Sequence, residues 1–139
     1  MADYAGDVTP EQAWAELQSN PDAVLVDVRT RPEWGFVGVP DLSGAGKQAA
    51  LISWQVYPEM GRNATFEAEV EALGAKSDAP VYFLCRSGAR SRAAAIAMTA
   101  RGFSACYNVA YGFEGDPDSA RHRGLQNGWK ASNLPWVQQ

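Results

Sequence analysis

Apolar residues along this chain fall into two patterns: short continuous runs, and longer segments in which they recur at helical spacing. The short runs lie between segments rich in Pro, Gly and Asp, as is typical of strands that end in turns. They predict an edge strand followed by four buried strands, over residues 4–8, 23–29, 49–56, 81–84 and 105–109. Continuous apolar runs are typical of parallel strands that are buried on both faces.

The longer segments carry helix start and stop signals. Thr9 and Gln12 form a capping-box pattern around Pro10, and Asn20-Pro21 ends the helix that begins there. The remaining predicted elements are a helical turn over 32–36, a loop over 37–46, and helices over 63–73 and 89–101. Strands that alternate with helices predict an α/β fold, with one parallel sheet covered by helices on both faces.

Composition narrows the class of protein. A chain of 139 residues suits a single domain over 1–139. The net charge of −4 argues against nucleic acid as a partner, because nucleic-acid binders cluster Lys and Arg. No apolar run approaches the roughly 20 residues that span a bilayer, and the first residues lack a signal-peptide pattern. We therefore expect no membrane partner and a cytoplasmic location.

Two cysteines and one histidine limit the chemistry. Cys85 and Cys106 are too few for a disulfide scaffold and match no zinc spacing, so we expect no metal and no cofactor. Cys106 lies in a predicted strand and is expected in the core. It would act as a resolving thiol only if it lay within disulfide reach of Cys85.

Cys85 stands at the most informative position of the chain. It follows the buried run 81–84 and precedes a polar loop and the helix that starts at Ala89. In open parallel sheets, ligands bind beyond the carboxyl ends of the strands. Free backbone N–H groups and the positive end of the helix dipole favour a thiolate there and would also hold an incoming anion. Gly88 lets the loop backbone curl closely around such a group.

The loop's arginines decide between a reactive and an inert cysteine. Taken alone, Cys85 would be a core residue, because free cysteine is among the most buried residue types. However, Arg86, Arg90 and Arg92 surround it, and cations at a helix amino terminus oppose the dipole. Their presence is better explained by an anion bound between them.

Asp27 lies near the end of the run 23–29, where a buried carboxylate needs partners. We expect it to order the following loop by accepting backbone N–H bonds. Arg29 and Glu33 are predicted to form an ion pair that holds the turn.

Four motifs in succession resemble the signatures of a rhodanese domain. They are Val26-Asp-Val-Arg29, Cys85-Arg-Ser-Gly-Ala-Arg-Ser91, Asn108-Val-Ala-Tyr-Gly-Phe113 and Gly128-Trp-Lys-Ala131. The resemblance covers nearly the whole chain. It implies a three-layer sandwich around a five-stranded parallel sheet, with the catalytic cysteine on the loop after the fourth strand. It also implies sulfur transfer from thiosulfate or a similar donor to a thiol or cyanide acceptor.

This resemblance assigns roles to the loop. Cys85 would be the nucleophile and carry the sulfur as a persulfide. The backbone N–H groups from Arg86 to Ser91, including those of Gly88 and Ala89, would cradle the persulfide and the departing sulfite. Arg86 and Arg90 would bring positive charge to the donor, and Ser87 and Ser91 hydroxyl donors.

Two other functions stay open. One is a sulfur relay, in which Cys85 delivers persulfide to an acceptor protein; a monomer is expected in either case. The distant alternative is a cysteine-dependent phosphatase or arsenate reductase. Such phosphatases resemble Cys, five residues, Arg, whereas position 91 here is Ser and the loop resembles the shorter loop of sulfurtransferases.

Three features depart from the family pattern. The first is the stretch Gly35-Phe-Val-Gly-Val-Pro-Asp-Leu-Ser-Gly44, which replaces the family's Gly-His-Ile-Pro-Gly-Ala and lacks its histidine. Tyr111 stands where the family tends to have glycine. Its phenol would either narrow the pocket or hydrogen-bond the substrate, but the preferred interpretation is that it fills space. The charged segment 116–124 leaves the same sheet edge as Cys85 and is expected to form a rim or lid, with His122 in solvent.

Overall fold

The protein, seen in a computed structural model that describes residues 3–138, has nine strands and four helices within that range. In chain order the strands are β1 (Gly6–Val8), β2 (Val24–Asp27), β3 (Val39–Pro40), β4 (Ala50–Leu51), β5 (Gln55–Val56), β6 (Gly61–Arg62), β7 (Val81–Leu84), β8 (Cys106–Val109) and β9 (Trp136–Val137). The helices are α1 (Pro10–Ser19), α2 (Arg31–Phe36), α3 (Phe66–Glu71) and α4 (Ala89–Ala100), with a 3-10 turn over Ser43–Ala45.

Five parallel strands form the main sheet, in the order β1-β8-β7-β2-β4. This confirms the predicted α/β fold with its five-stranded parallel sheet. Strand β7 is central and is the fourth strand of this sheet along the chain, so Cys85 follows the fourth strand, as the resemblance implied. The two remaining pairs, β3 with β9 and β5 with β6, are antiparallel and lie outside the main sheet.

The core has two parts, because successive side chains of a strand point to opposite faces of the sheet. On β7, Val81 and Phe83 pack into one cluster, together with side chains of α3 and α4. Tyr82 and Leu84 pack into the other, which includes side chains of α1 and the fully buried Trp129. Helices therefore cover both faces, as predicted.

The predicted start of α1 is confirmed in detail. The Gln12 N–H donates to the Thr9 hydroxyl at 3.1 Å, and the Thr9 N–H donates to the Gln12 side chain at 2.8 Å. Pro10 takes the first helical position. This capping box satisfies backbone groups that would otherwise lack partners at the helix start.

Three element boundaries were predicted wrongly. The run 49–56 is not one buried strand. Only β4 pairs with β2, and the chain then turns into the β5–β6 hairpin, which exposes 48% of Val56. The helix predicted over 63–73 spans only α3, because the Asn63 side chain accepts the N–H of Thr65 and holds the preceding residues in a turn. The loop 37–46 contains β3, whose partner β9 lies almost a hundred residues away in sequence.

Within residues 3–138, no helix is both long and apolar enough to cross a bilayer.

A buried ion pair joins Asp27 to Arg29. Both side chains are fully buried; Nη2 of Arg29 lies 2.8 Å from Oδ2 of Asp27, and Nε lies 2.9 Å from Oδ1. Asp27 also accepts the N–H of Arg29 at 3.1 Å, which confirms its predicted role in ordering the loop. The predicted Arg29–Glu33 pair is wrong: Glu33 instead pairs with Arg90.

Replacing Asp27 by Ala should lower the free energy of unfolding by about 3–5 kcal/mol, because it leaves the Arg29 charge buried without its partner. Urea denaturation at neutral pH measures the change. Glu71→Ala is the control, since it removes half of an exposed ion pair with Arg101 and should cost less than about 1 kcal/mol. Equal losses in the two variants would contradict the importance of the buried pair.

Candidate active site

Cys85 lies at the carboxyl end of the central strand β7, immediately before the loop that leads into α4. Its side chain is buried, with 1% of the residue exposed. Two groups contact its sulfur: the Gly88 N–H and the Ser91 hydroxyl each lie 3.1 Å from Sγ. Two hydrogen-bond donors therefore face Sγ at the edge of an apolar cluster, and such donors stabilise negative charge on sulfur.

Helix α4 adds further donors near the sulfur. It begins at Ala89 and runs for twelve residues, and the N–H groups of its first turn have no acceptor within the helix. Its dipole places partial positive charge at this end. Gly88, at φ 121°, makes the turn that points its own N–H at Sγ, a conformation that residues with a side chain rarely adopt.

A polar network continues from the sulfur to the edge of the sheet. The Ser91 hydroxyl lies 2.6 Å from Oδ1 of Asn108, and Nδ2 of Asn108 donates to Asp7 at 3.0 Å. A hydroxyl has one hydrogen, so Ser91 donates to one acceptor at a time: Oδ1 of Asn108, Sγ of Cys85 or the Gly88 carbonyl, which lies at 3.2 Å. Negative charge on the sulfur favours donation to Sγ, which leaves Oδ1 of Asn108 without this hydrogen. Asn108, which is held by Asp7, therefore competes with the sulfur for the Ser91 hydrogen.

The loop after β7 is also held from behind by the turn that follows β8. The Phe113 N–H donates to the Cys85 carbonyl at 2.8 Å, and the Glu114 N–H donates to the Arg86 carbonyl at 3.0 Å. Gly112 permits this approach: at φ 61°, a Cβ on it would lie 2.3 Å from the Cys85 carbonyl oxygen. The backbone of the reactive loop is thus packed directly against another backbone.

A cavity of about 460 Å³ opens beside this loop. Its walls come from α2 and the residue after it, the β5–β6 hairpin, the loop after β7, α4 and the turn after β8. The lining residues are Glu33, Val37, Met60, Arg86, Arg90 and Glu114. The cavity therefore combines two cations, two carboxylates and two apolar side chains.

Arg90 and Glu33 form a two-pronged ion pair across the cavity wall, with nitrogen–oxygen distances of 2.8 and 3.0 Å. The pKa of Arg90 is raised, first by its hydrogen bond to Glu33 and then, against the effect of burial, by the nearby acidic groups of Glu33, Cys85 and Asp27. Burial acts to raise the pKa of Glu33, but its bonds to Arg90 and Thr30 lower it overall. Most of the Arg90 charge is therefore compensated within the protein.

The predicted site residues take three kinds of position. Cys85, Gly88 and Ser91 meet at the sulfur, and Arg86 and Arg90 line the cavity. Asp27 and Arg29 support the site from the core. Ser87, half-buried, and Ala89, exposed, belong to the same loop but do not line the cavity. The roles in substrate binding that the sequence assigned to these residues stay predictions.

Tyr111 does not narrow the cavity, which was one of the roles open to it. The residue is 46% exposed and lines a separate groove with Gln126 and Ala131. Its backbone has φ 67°, the left-handed region that glycine adopts most easily. Glycine therefore suits the backbone conformation of this position.

The segment 116–124 does not form the predicted rim of this cavity. It folds on itself, with the Asp118 side chain accepting the N–H of Ala120 and of His122. Glu114, which precedes it, supplies the cavity wall instead. His122 is exposed, as expected.

Cys106 is a core residue, as predicted, and it lies outside disulfide reach of Cys85. It is fully buried, and burial raises its pKa. Its partner across the sheet is Val81, four residues before Cys85, which corresponds to roughly 13 Å along the strand. A disulfide needs Cα atoms about 4.4–6.8 Å apart.

Several residues of the site escaped sequence reasoning. Glu33 was assigned to another ion pair, while Val37, Met60 and Glu114 were given no role. Met60 reaches the cavity from the β5–β6 hairpin, which the pattern of apolar residues did not predict. Asn108 offered a signal, since it is a polar residue inside an apolar strand. Among residues 3–138, no cluster of three or more His, Cys, Asp or Glu side chains is arranged to hold a metal.

Comparison with known proteins agrees with this geometry. A crystal structure of Rv0390 from M. tuberculosis superimposes with a TM-score of 0.88 at 48% identity, over 98% of this chain and 99% of that one. An uncharacterized Rickettsia rickettsii protein, an RP600 homolog, is 41% identical over 90% of this chain and 91% of its own length. The thiosulfate sulfurtransferase GlpE of Glaesserella parasuis is 30% identical over 83% of this chain and 89% of its own length.

The fold, the loop around Cys85 and these relatives define a rhodanese-like domain. The family model described as the STR4 middle domain matches residues 5–139. The chain therefore belongs to the STR4 middle-domain family and is a rhodanese-like protein.

Replacing Gly112 by Ala should displace the reactive loop, because the new Cβ would overlap the Cys85 carbonyl. We expect a loss of at least about 3 kcal/mol, the conformational cost plus overpacking, and slower alkylation of Cys85 by iodoacetamide. Gly74→Ala is the matched control: it has φ 80° but no atom within 4 Å of the new Cβ, and should cost about 1 kcal/mol. If the two variants behaved alike in urea denaturation and alkylation, the close approach would not control the loop.

Replacing Glu33 by Gln should lower stability at neutral pH, on the order of 1 kcal/mol, by removing the ion pair with Arg90. The folded-state pKa of Glu33 is below its ordinary value of 4.5. The pair therefore stabilises the protein fully above that ordinary value and loses its effect as pH falls through the folded-state pKa. Urea denaturation at pH 7, 5, 4 and 3 should show the difference from wild type shrinking on the acid side. A constant difference at all four pH values would contradict this role.

Proposed function

We propose that this protein is a sulfurtransferase that carries a sulfane sulfur as a persulfide on Cys85, from thiosulfate or a similar donor to a thiophilic acceptor. The observation that carries the proposal is the pair of donors at 3.1 Å from Sγ, the Gly88 N–H and the Ser91 hydroxyl, at the start of α4. A sulfur atom held in this way is prepared to be an anionic nucleophile without a neighbouring base.

The reaction has two displacements. In the first, the Cys85 thiolate attacks the outer sulfur of thiosulfate; the new S–S bond forms as the old one breaks, and sulfite leaves with the electron pair. In the second, the acceptor attacks that outer sulfur, and the electron pair of the Cys85–sulfur bond returns to Sγ. Neither step needs an external oxidant, reductant or metal.

The loop has a specific task in each displacement. Negative charge moves from Sγ toward the departing sulfite in the first step and returns to Sγ in the second. The N–H groups of the loop and of the first turn of α4 are fixed in place before the reaction, so they stabilise this charge without reorganising. Arg86, at the cavity wall, would attract the anionic donor.

The named relative supports the same activity. GlpE of Glaesserella parasuis, which is described as a thiosulfate sulfurtransferase, matches most of this chain at 30% identity. On that basis we propose thiosulfate as the donor of this protein as well.

A sulfur relay to a protein is the second candidate, and one observation favours it. Phe36, at the end of α2, has 83% of its surface exposed, and Met60 of the cavity wall is also partly exposed. Exposed apolar side chains near a reactive cysteine suit contact with a protein that accepts the sulfur.

The decisive experiment measures sulfur on the protein directly. Wild type treated with thiosulfate should gain the mass of one sulfur atom at Cys85 and produce thiocyanate when cyanide is added. Cys85→Ser should do neither, whereas Cys106→Ser, the matched control, should keep both, because that thiol lies in the core away from the loop.

The remaining outcomes of this experiment would either contradict the proposed function or favour a different one. A wild-type protein that gains no sulfur from thiosulfate, while Cys85 still reacts with iodoacetamide, would overturn the proposed donor and mechanism. A persulfide that forms but that no small acceptor removes would favour the relay. Hydrolysis of a phosphate ester that disappears in Cys85→Ser would favour a phosphatase.

A further inference from the structure

The cavity beside Cys85 carries two opposite charges that the protein itself leaves uncompensated. Of the four charged residues that line it, Arg90 and Glu33 are paired with each other. Arg86 and Glu114 take part in none of the ion pairs found among residues 3–138. One cation and one carboxylate are thus available to a ligand.

These two residues are held side by side. The Glu114 N–H donates to the Arg86 carbonyl at 3.0 Å, and the Gly115 N–H donates to the same oxygen at 3.1 Å. The backbones of the two residues are therefore in direct contact, while both side chains line the same cavity. Their charges face a ligand from neighbouring positions on one wall.

Among possible sulfur acceptors, this balance favours a zwitterion over an anion. The four lining charges cancel formally, so an anionic acceptor is attracted by Arg86 and repelled by Glu114. A ligand with one ammonium and one carboxylate can satisfy both residues at once. At the mouth of a cavity, where charges are partly withdrawn from water, such complementarity selects between ligands of similar size.

The size and the apolar lining also suit an organic ligand. A volume of about 460 Å³ lies within the range of roughly 300–1,000 Å³ that is usual for organic ligands. It leaves room for an organic acceptor larger than the thiosulfate donor. Val37 and Met60 offer apolar contact to the carbon atoms that such a ligand would carry between its charged groups and its sulfur.

We propose that the sulfur acceptor is a low-molecular-weight zwitterionic thiol of the amino-acid type, whose ammonium binds Glu114 and whose carboxylate binds Arg86. The proposal rests on the sulfur-transfer function proposed above and specifies its second step. The acceptor thiolate attacks the outer sulfur of the Cys85 persulfide and forms a new S–S bond. The bond between that sulfur and Sγ breaks, its electron pair returns to Cys85, and the acceptor leaves as a persulfide.

The experiment separates loading from discharge. Wild type and Glu114→Gln are loaded with thiosulfate, freed of excess donor and mixed with cysteine or with N-acetylcysteine, which lacks the ammonium. The loss of one sulfur mass from Cys85 is followed in time. For each protein the rate with cysteine is divided by the rate with N-acetylcysteine, so comparing the two quotients removes the intrinsic reactivity of the thiols.

We expect this quotient to be about fivefold lower in Glu114→Gln than in wild type. A fivefold change corresponds to the upper end of what an exposed ion pair contributes. Arg86→Gln should produce the corresponding loss when cysteine is compared with cysteamine, which lacks the carboxylate. Asp78→Asn is the matched control: it removes the same charge from an exposed residue before β7, at the opposite end of the strand from Cys85, and should leave both quotients unchanged.

The outcomes of this experiment are distinct. Loaded protein whose quotients do not change in either cavity variant would overturn the zwitterionic acceptor while leaving the sulfur-transfer function in place. An equal change in Asp78→Asn would also overturn it, since overall charge would then be the cause. Failure of wild type to load any sulfur would instead contradict the proposed function at its first step.

Discussion

Three separate segments of the chain are joined at the buried guanidinium of Arg29. It pairs with Asp27 at the end of β2, donates to the Gly38 carbonyl at 2.7 Å, and lies 4.2 Å from the centre of the Phe113 ring. Gly38 follows one residue of the cavity wall, Val37, and Phe113 precedes another, Glu114. A charge buried in this way is stable only if all its partners stay in place. The positions of both walls therefore depend on one interaction in the core.

The parts of the structure that sequence reasoning predicted are those with local causes. Continuous apolar runs identified β2, β7 and β8, and the capping box identified the start of α1, because these patterns act between residues that are close in the chain. The reactive loop was indicated in the same local way. Cys85 alone would have suggested a core residue, and the neighbouring arginines at a helix start indicated an anion site instead.

The cavity escaped prediction because its walls meet only in the folded chain. Met60, Glu114 and Glu33 come from three elements that are far apart in sequence, and each has an ordinary local explanation as a surface residue. The choice of Arg90 as the partner of Glu33, in place of the nearer Arg29, has a physical reason. Arg29 is committed to Asp27 in the core, so Glu33 is left to pair across the cavity wall with α4.

The β5–β6 hairpin has a consequence for how this protein can diversify. It contributes Met60 to the cavity, yet its strands pair with each other and not with the main sheet. Its connection to the rest runs through a few contacts, such as the Trp54 N–H donating to the Val28 carbonyl at 3.0 Å. We expect changes in its length or sequence to alter the apolar part of the cavity without disturbing the loop around Cys85. The charged part differs, because Arg86 lies in that loop and Glu114 in the turn that holds it. The apolar lining can therefore vary separately from the chemistry, whereas the charged lining cannot.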